Sequence, residues 1–107
     1  MQRDMSLLRT ICLTIEAGQP IELDDRTAYH VELLLAMGLI RGDVWEAGAR
    51  RFVSEPHLTP AGHDFTDLAR DDALWRAVAT RVEATVGTTA FEVWLTLLHH
   101  DHAERLE

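Results

Sequence analysis

Six histidines and several closely spaced carboxylates are the side chains of this sequence that could do chemistry. His99 and His102 lie three positions apart on a predicted helix, and two imidazoles at that spacing can bind a metal ion if a third ligand arrives from elsewhere. No other segment offers a ligand at a matching spacing, and histidines near a helix end also interact favourably with its dipole. We therefore predict neither a metal nor a cofactor.

A second arrangement, His63 with Asp67, could imitate an acid–base pair because residues four apart meet on a helix face. A surface hydrogen bond is the commoner outcome of that spacing. The sequence shows no Ser-His-Asp order, no glycine-rich phosphate loop and no Cys-x-x-Cys motif. We therefore predict that the protein is not an enzyme.

Length and composition indicate one globular domain over residues 1–107, with 47% apolar residues and a formal net charge of −8. The single cysteine, Cys12, lies in an apolar helical stripe, which favours a buried thiol and a reducing cytoplasm. No apolar run reaches the roughly 20 residues of a membrane span, and the first residues lack a signal-peptide core. We expect a cytoplasmic protein without membrane contact, and we interpret Leu106 and Glu107 as a cloning remnant.

The elements that would position these side chains follow a recognisable order. Apolar periodicity predicts a first helix over about 3–17, and a second helix, capped by Asp24 or Asp25, ends at Gly38. Two wing strands, 40–46 and 51–54, follow across a turn at 47–50. Ile21–Leu23 is predicted as a short strand that pairs with the base of the wing. His30 is interpreted as a half-buried capping or packing residue.

Three more helices are predicted after the wing. Thr59 caps the first, Asp71 and Asp72 begin the second, and Thr89 opens a capping box for the last. The fold class is therefore mainly α with a small β wing (α+β), a winged helix-turn-helix with additional C-terminal helices. The winged core covers about 3–58 and the C-terminal helices about 59–105.

The chain resembles a family of short bacterial and phage proteins that is catalogued as a domain of unknown function. The resemblance covers nearly the whole chain and implies a winged-helix-like fold and a mobile-element setting, without catalytic residues. Family members often carry lysines in the last two helices, where this chain is acidic. The matching residues are Arg3-Asp4-Met5, Ile21-Glu22-Leu23, Tyr29-His30-Val31, Leu34-Leu35, Gly38-Leu39-Ile40, Leu58-Thr59, Gly62-His63, Phe65, Arg70-Asp71-Asp72, Trp75 and Phe91-Glu92.

DNA binding by a winged helix would require cations on the helix before the wing and on the wing itself. Acidic residues outnumber Arg26 on that helix, whereas Arg41, Arg50 and Arg51 leave the wing barely positive. Arg26, Arg41, Arg50 and Arg51 are therefore candidate nucleic-acid contacts for a transcriptional regulator, which is the alternative interpretation.

The preferred hypothesis is a protein partner. Five of the eight net negative charges lie in residues 60–107, and such a surface repels nucleic acid but attracts a basic protein groove. A small acidic protein of this kind could inhibit a host nucleic-acid-handling or defence complex, by analogy with anti-CRISPR proteins. The competing interpretation is that the carboxylates only begin helices and keep the protein in solution. The candidate protein-binding residues are Asp64, Asp67, Asp71 and Asp72.

The last helix carries a broader apolar arc than one core face requires. Trp75 and Trp94 are predicted to meet in the core or across an interface. A homodimer through residues 88–105 is therefore favoured over a monomer by a small margin. Its candidate interface residues are Phe91, Trp94, Leu95, Leu97 and Leu98.

Overall fold

A computed structural model describes residues 2–85 and 90–105 of the chain. Its elements, in order, are α1 (Met5–Glu16), α2 (Asp25–Ala36), β1 (Ile40–Ala47), β2 (Arg50–Leu58), α3 (Pro60–Ala69), α4 (Asp72–Thr85) and α5 (Phe91–Arg105). The mainly helical α+β class is confirmed, and so is the antiparallel pair after α2. The winged helix-turn-helix stays a prediction.

The chain divides into two compact units, Met1–Asp64 and Phe65–Glu107. In the first, α1 packs against α2 and β2, and the buried stripe of α1 includes Cys12, as expected. In the second, α4 packs against α5. No helix within the described residues is long and apolar enough to cross a membrane.

Glycine caps end the first two helices as the sequence predicts. Gly38 has a φ of 72°, and the Leu39 N–H donates to the Leu34 carbonyl at 3.0 Å, which together form a Schellman cap. Gly18 ends α1 in the same way, with the Gln19 N–H bonded to the Thr14 carbonyl. Both caps satisfy carbonyls that a helix end would otherwise leave unpaired.

Hydroxyl and carboxylate caps begin the helices of the first unit. Asp24 accepts the Thr27 N–H at 2.7 Å, and this backbone hydrogen bond lowers the pKa of the Asp24 carboxyl. Thr59 accepts the Gly62 N–H at 3.1 Å and donates to the Gly38 carbonyl at 2.6 Å. Thr59 therefore joins the end of α2 to the start of α3. The Thr89 cap, together with Val86 and Gly87 of the predicted helix end before it, lies outside the described residues.

His30 links α1 to α2, which confirms the predicted packing role, but it is fully buried and not half-buried as predicted. Its Nε2 accepts the Asp4 N–H at 2.8 Å, and its Nδ1 lies 2.7 Å from the Arg26 carbonyl oxygen. An acceptor at Nε2 and a donor at Nδ1 require the neutral ring with its proton on Nδ1. Asp4 in turn caps α1 through the Ser6 and Leu7 N–H groups and forms an ion pair with Arg26.

The hairpin is longer than predicted, and its turn is tighter. β2 continues to Leu58 because a bulge opposite Gly42 takes up one extra residue, with Glu55 at a φ of 48°. Pro56 is tolerated at this irregularity, where the regular hydrogen-bond ladder is interrupted. The loop contains only Gly48 and Ala49, and Gly48 has the positive φ that a type II′ turn requires at its first position.

The prediction of a strand at residues 21–23 is wrong. The only sheet among the described residues has two strands, and residues 21–24 form no regular element and do not enter it. Leu23 is buried and Asp24 is committed to the α2 cap, so the short segment is held by these side chains at one end and follows Pro20 at the other. A cleft lies between this segment and the tip of the hairpin, so the two do not meet to form a ladder.

Candidate functional site on the hairpin

An exposed aromatic pair lies on the hairpin. Trp45 and Phe52 are directly opposite each other in the register, so their side chains project from the same face of the sheet. Trp45 is 53% exposed and Phe52 is 44% exposed, and the neighbouring Val44 is also exposed. Single exposed apolar residues are common on proteins, but a contiguous aromatic pair is typical of a binding surface.

Two of the four arginines proposed for nucleic-acid contact are engaged within the protein. Arg26 pairs with the N-capping Asp4, and Arg51 lies 3.2 Å from Asp25 and 3.7 Å from Glu46. Arg41 and Arg50 form no ion pair with the described residues and are exposed. The structure therefore brings Arg50 and Arg51 together at the hairpin tip but leaves only Arg50 of the two without a carboxylate partner.

A cleft of 570 Å³ lies between residues 21–24 and the tip of the hairpin. Residues 21–24 form one wall, and residues 47 and 49–52 form the other. Phe52 of the aromatic pair and the unpaired Arg50 both line this cleft. The hairpin surface, defined as Trp45, Arg50 and Phe52, is thus continuous with a concave feature, whereas Val44 projects from the opposite face.

The four acidic candidates have mainly local contacts. Asp67 pairs with Arg70 at 2.5 Å, Asp71 accepts the Leu74 N–H at the start of α4, and Asp72 pairs with Arg76. The ion-pair partner of Asp67 is therefore Arg70, three positions later, and not the predicted His63, whose side chain is exposed. Asp64 is exposed as well. These contacts support the helix-starting and surface interpretation for three of the four carboxylates.

The predicted dimer residues of α5 divide into two sets. Trp94 and Leu98 are buried, and Trp94 stacks on Trp75 with ring centroids 4.7 Å apart. Phe91 lies 5.1 Å from the ring of Phe65, so it also packs within the second unit. Val93 and Leu97, with Glu92 and Thr96, line a shallow groove on the outer face. Leu95 is half-buried.

The possible metal ligands near the end of α5 are not the predicted pair, His99 and His102. His100, Asp101 and Glu104 each place one ligand atom within 4.8 Å of the others, whereas His99 and His102 are exposed and are not among them. The Asp101 carboxylate, only 8% exposed, is paired with Arg81, and His100 Nε2 lies 3.1 Å from a Glu104 oxygen. Because the Arg81 guanidinium already neutralises the Asp101 carboxylate, a metal cation at this cluster would be repelled.

Sequence reasoning placed Trp45 and Phe52 on the wing but did not select them as a site. The available signal was the pairing itself, since the predicted turn at 47–50 and the observed two-residue loop both place Trp45 opposite Phe52. What local residue types do not show is that no other element covers the pair.

Comparison with known proteins identifies the family. The sequence model of the family described as "Hypothetical protein (DUF2513)" matches residues 2–89. No curated protein and no solved structure matches the chain. The matched region includes α1, α2, the hairpin, α3 and α4, and it covers most of the residues on which the resemblance to a family of unknown function was based. The chain belongs to the DUF2513 family.

Proposed function

We propose that this protein is a non-enzymatic, cytoplasmic binding protein of phage or mobile-element type that docks on a protein partner through the hairpin surface. The observation that carries the proposal is the exposure of Trp45 and Phe52 as one cross-strand pair. Aromatic residues in a contiguous patch are the anchors that protein interfaces favour, because they bury much apolar area with few rotatable bonds.

The charge of the chain supports an inhibitory partner class. A formal net charge of −8 would steer the protein toward a basic surface, such as the groove of a nucleic-acid-handling or defence complex. Asp64, with Asp67, Asp71 and Asp72, remains a candidate for this longer-range attraction. The aromatic pair would then provide the short-range contact.

A pull-down from lysate of a bacterial host tests this proposal. The wild-type chain is expected to retain one stoichiometric protein complex, and Trp45→Ala with Phe52→Ala is expected to lose it while remaining folded, since both side chains are largely exposed. Val44→Ala, which removes an exposed apolar side chain from the opposite face of the same hairpin, is the matched control and should retain the complex. Equal retention by the hairpin variant would show that the aromatic pair is not the docking surface.

DNA binding by a transcriptional regulator is the second candidate function. The observation in its favour is that Arg41 and Arg50 are exposed and have no ion-pair partner in the described part of the chain. Against it, Arg26 and Arg51 are already neutralised by carboxylates. Two available arginines would neutralise about two phosphates, which gives weak and salt-sensitive affinity.

A homodimer through the outer face of α5 is a further part of the proposal. The exposed Val93 and the half-buried Leu97 are four positions apart and form an apolar strip that flanks the buried face of Trp94 and Leu98. Of the interface residues predicted from sequence, only Leu97 lies on this strip, where it is joined by Val93, and Leu95 lies on another side of the helix. Phe91, Trp94 and Leu98 are excluded from it by their packing within the second unit.

A further inference from the structure

We infer that the cleft beside the hairpin binds an extended peptide segment of the partner by adding a strand to the outer edge of β2. The inference rests on the proposed function and specifies the kind of segment that is bound: one that presents an apolar side chain and a carboxylate on the same face.

Backbone groups on both walls of the cleft are available for hydrogen bonding. Residues 21–23 belong to no helix or strand, and among the described residues their N–H and carbonyl groups make no backbone–backbone hydrogen bond. On the other wall, β2 belongs to a sheet of two strands, so no strand in the described part of the chain lies against its outer edge. An added strand would satisfy groups of this kind, which is the basis of strand addition at sheet edges.

The hairpin register identifies the groups on β2 that face outward. A two-residue loop makes Ala47 and Arg50 the closing, hydrogen-bonded pair, and hydrogen-bonded pairs alternate along an antiparallel ladder. The Arg51–Glu46 and Val53–Val44 pairs are therefore of the other type. The N–H and carbonyl groups of Arg51 and Val53 consequently point away from β1, toward an added strand.

Side chains on the same wall determine the character of the bound segment. Arg50 and Phe52 are two positions apart and share one face of the sheet, and both line the cleft. Arg50 has no ion-pair partner among the described residues, whereas the neighbouring Arg51 is paired with Asp25 and Glu46. Cross-strand pairing then favours a carboxylate beside Arg50 and an apolar side chain beside Phe52.

The wall of the cleft formed by residues 21–24 is acidic, which could favour a basic peptide instead of an acidic one. Glu22 lines that wall, and Asp24 beside it is occupied in capping α2. If residues 21–24 rather than β2 determined the charge preference, a basic segment would bind better than an acidic one. The sign of the preferred peptide charge therefore identifies the wall that directs recognition.

Amide chemical shifts and hydrogen exchange of the full chain test the inference. The probe is a synthetic peptide of about six residues in which valine and glutamate alternate along one face and threonine fills the other. It is expected to shift the amides of residues 21–24 and 50–53 and to slow exchange at Arg51 and Val53. The same peptide with N-methyl groups along one backbone edge should not bind if that edge pairs with β2. A peptide in which lysine replaces glutamate should bind more weakly.

Two variants complete the test. Arg50→Ala is expected to weaken the glutamate peptide by up to about fivefold, the effect of one exposed charge pair, and Arg41→Ala, an exposed hairpin arginine outside the cleft, should not. Preference for the lysine peptide, binding by all N-methylated peptides, or the absence of any shift in residues 21–24 and 50–53 would overturn strand addition. If that happens while Trp45→Ala with Phe52→Ala still loses the cellular partner, the proposed function stands and only the strand-addition mode is wrong.

Discussion

His30, a residue type often found in active sites, has a purely structural role in this protein. Both ring nitrogens are within hydrogen-bond distance of backbone groups of Asp4 and Arg26, and the ring has no accessible surface. A residue in this setting cannot read a base or act on a substrate. The segments Arg3-Asp4-Met5 and Tyr29-His30-Val31, which helped to identify the family, therefore join α1 to α2.

Replacing His30 with alanine should destabilise the protein by about 2–4 kcal/mol, because it leaves a buried N–H and a carbonyl without partners and opens a cavity. Urea unfolding followed by circular dichroism measures the effect. The exposed His63→Ala is the control and should change the unfolding free energy by less than about 0.5 kcal/mol. Equal effects of the two substitutions would contradict the linking role of His30.

Gly62 should not tolerate a side chain. A Cβ at this position would lie 1.9 Å from the Leu39 carbonyl oxygen, a backbone atom that has to shift for any larger residue to fit. Gly62→Ala is therefore expected to lower stability by about 3 kcal/mol, which a thermal melt would report as a reduced Tm. Ala61→Ser, at an exposed neighbouring position, is the control, and an unchanged Tm for Gly62→Ala would show that the contact relaxes without cost.

Asp24 gives the first unit a pH-dependent component of stability. Because the Thr27 N–H lowers the pKa of this carboxyl in the folded state, its contribution is present above the ordinary aspartate pKa of about 4 and is lost as the pH falls through the folded-state value. Asp24→Asn keeps a capping oxygen without titrating. Acid unfolding curves of wild type and Asp24→Asn should therefore differ in slope below about pH 4 and converge in shape above about pH 5. Parallel curves would contradict the assignment.

At the scale of elements, periodicity and caps predicted most of what is observed. The first two helices, the glycine that ends α2 and the Thr59 start of α3 were all predicted from local residue types, because capping chemistry acts within one helical turn. The prediction failed where tertiary context decides. Pairing of residues 21–23 depends on the distance to β2, and the extension of β2 through Glu55 and Pro56 depends on a bulge opposite Gly42. Neither is encoded by residues close in sequence.

The apolar arc of α5 makes two different predictions for neighbouring leucines. Leu97→Glu lies on the outer strip with Val93 and should convert a dimer to a monomer in multi-angle light scattering while the helical circular dichroism signal is retained. Leu98→Glu places a carboxylate at a fully buried position and should unfold the second unit instead. A wild-type chain that is monomeric at high micromolar concentration would rule out the α5 dimer.

At the scale of the whole molecule, the exposed arginines and the exposed aromatic pair favour different partners, and salt dependence distinguishes them. Binding through the aromatic pair depends little on salt concentration, whereas binding through arginine–phosphate contacts weakens steeply as the salt concentration rises. An acidic chain that bound DNA would need local cations strong enough to overcome its own net charge of −8. Arg41 and Arg50 are the two candidate arginines without a carboxylate partner among the described residues.

Titration of a labelled DNA duplex at low salt should therefore show no saturable binding by the wild-type chain. If binding occurs, its dependence on salt decides its origin: a slope of about −2 in log K against log [salt], abolished by Arg41→Ala with Arg50→Ala, would assign it to these two arginines. Arg26→Ala serves as the matched control. Because Arg26 is already paired with Asp4, its removal should leave the slope unchanged. Tight, sequence-selective binding near physiological salt would replace the protein-docking proposal with that of a DNA-binding regulator, because two phosphate contacts alone cannot discriminate between sequences.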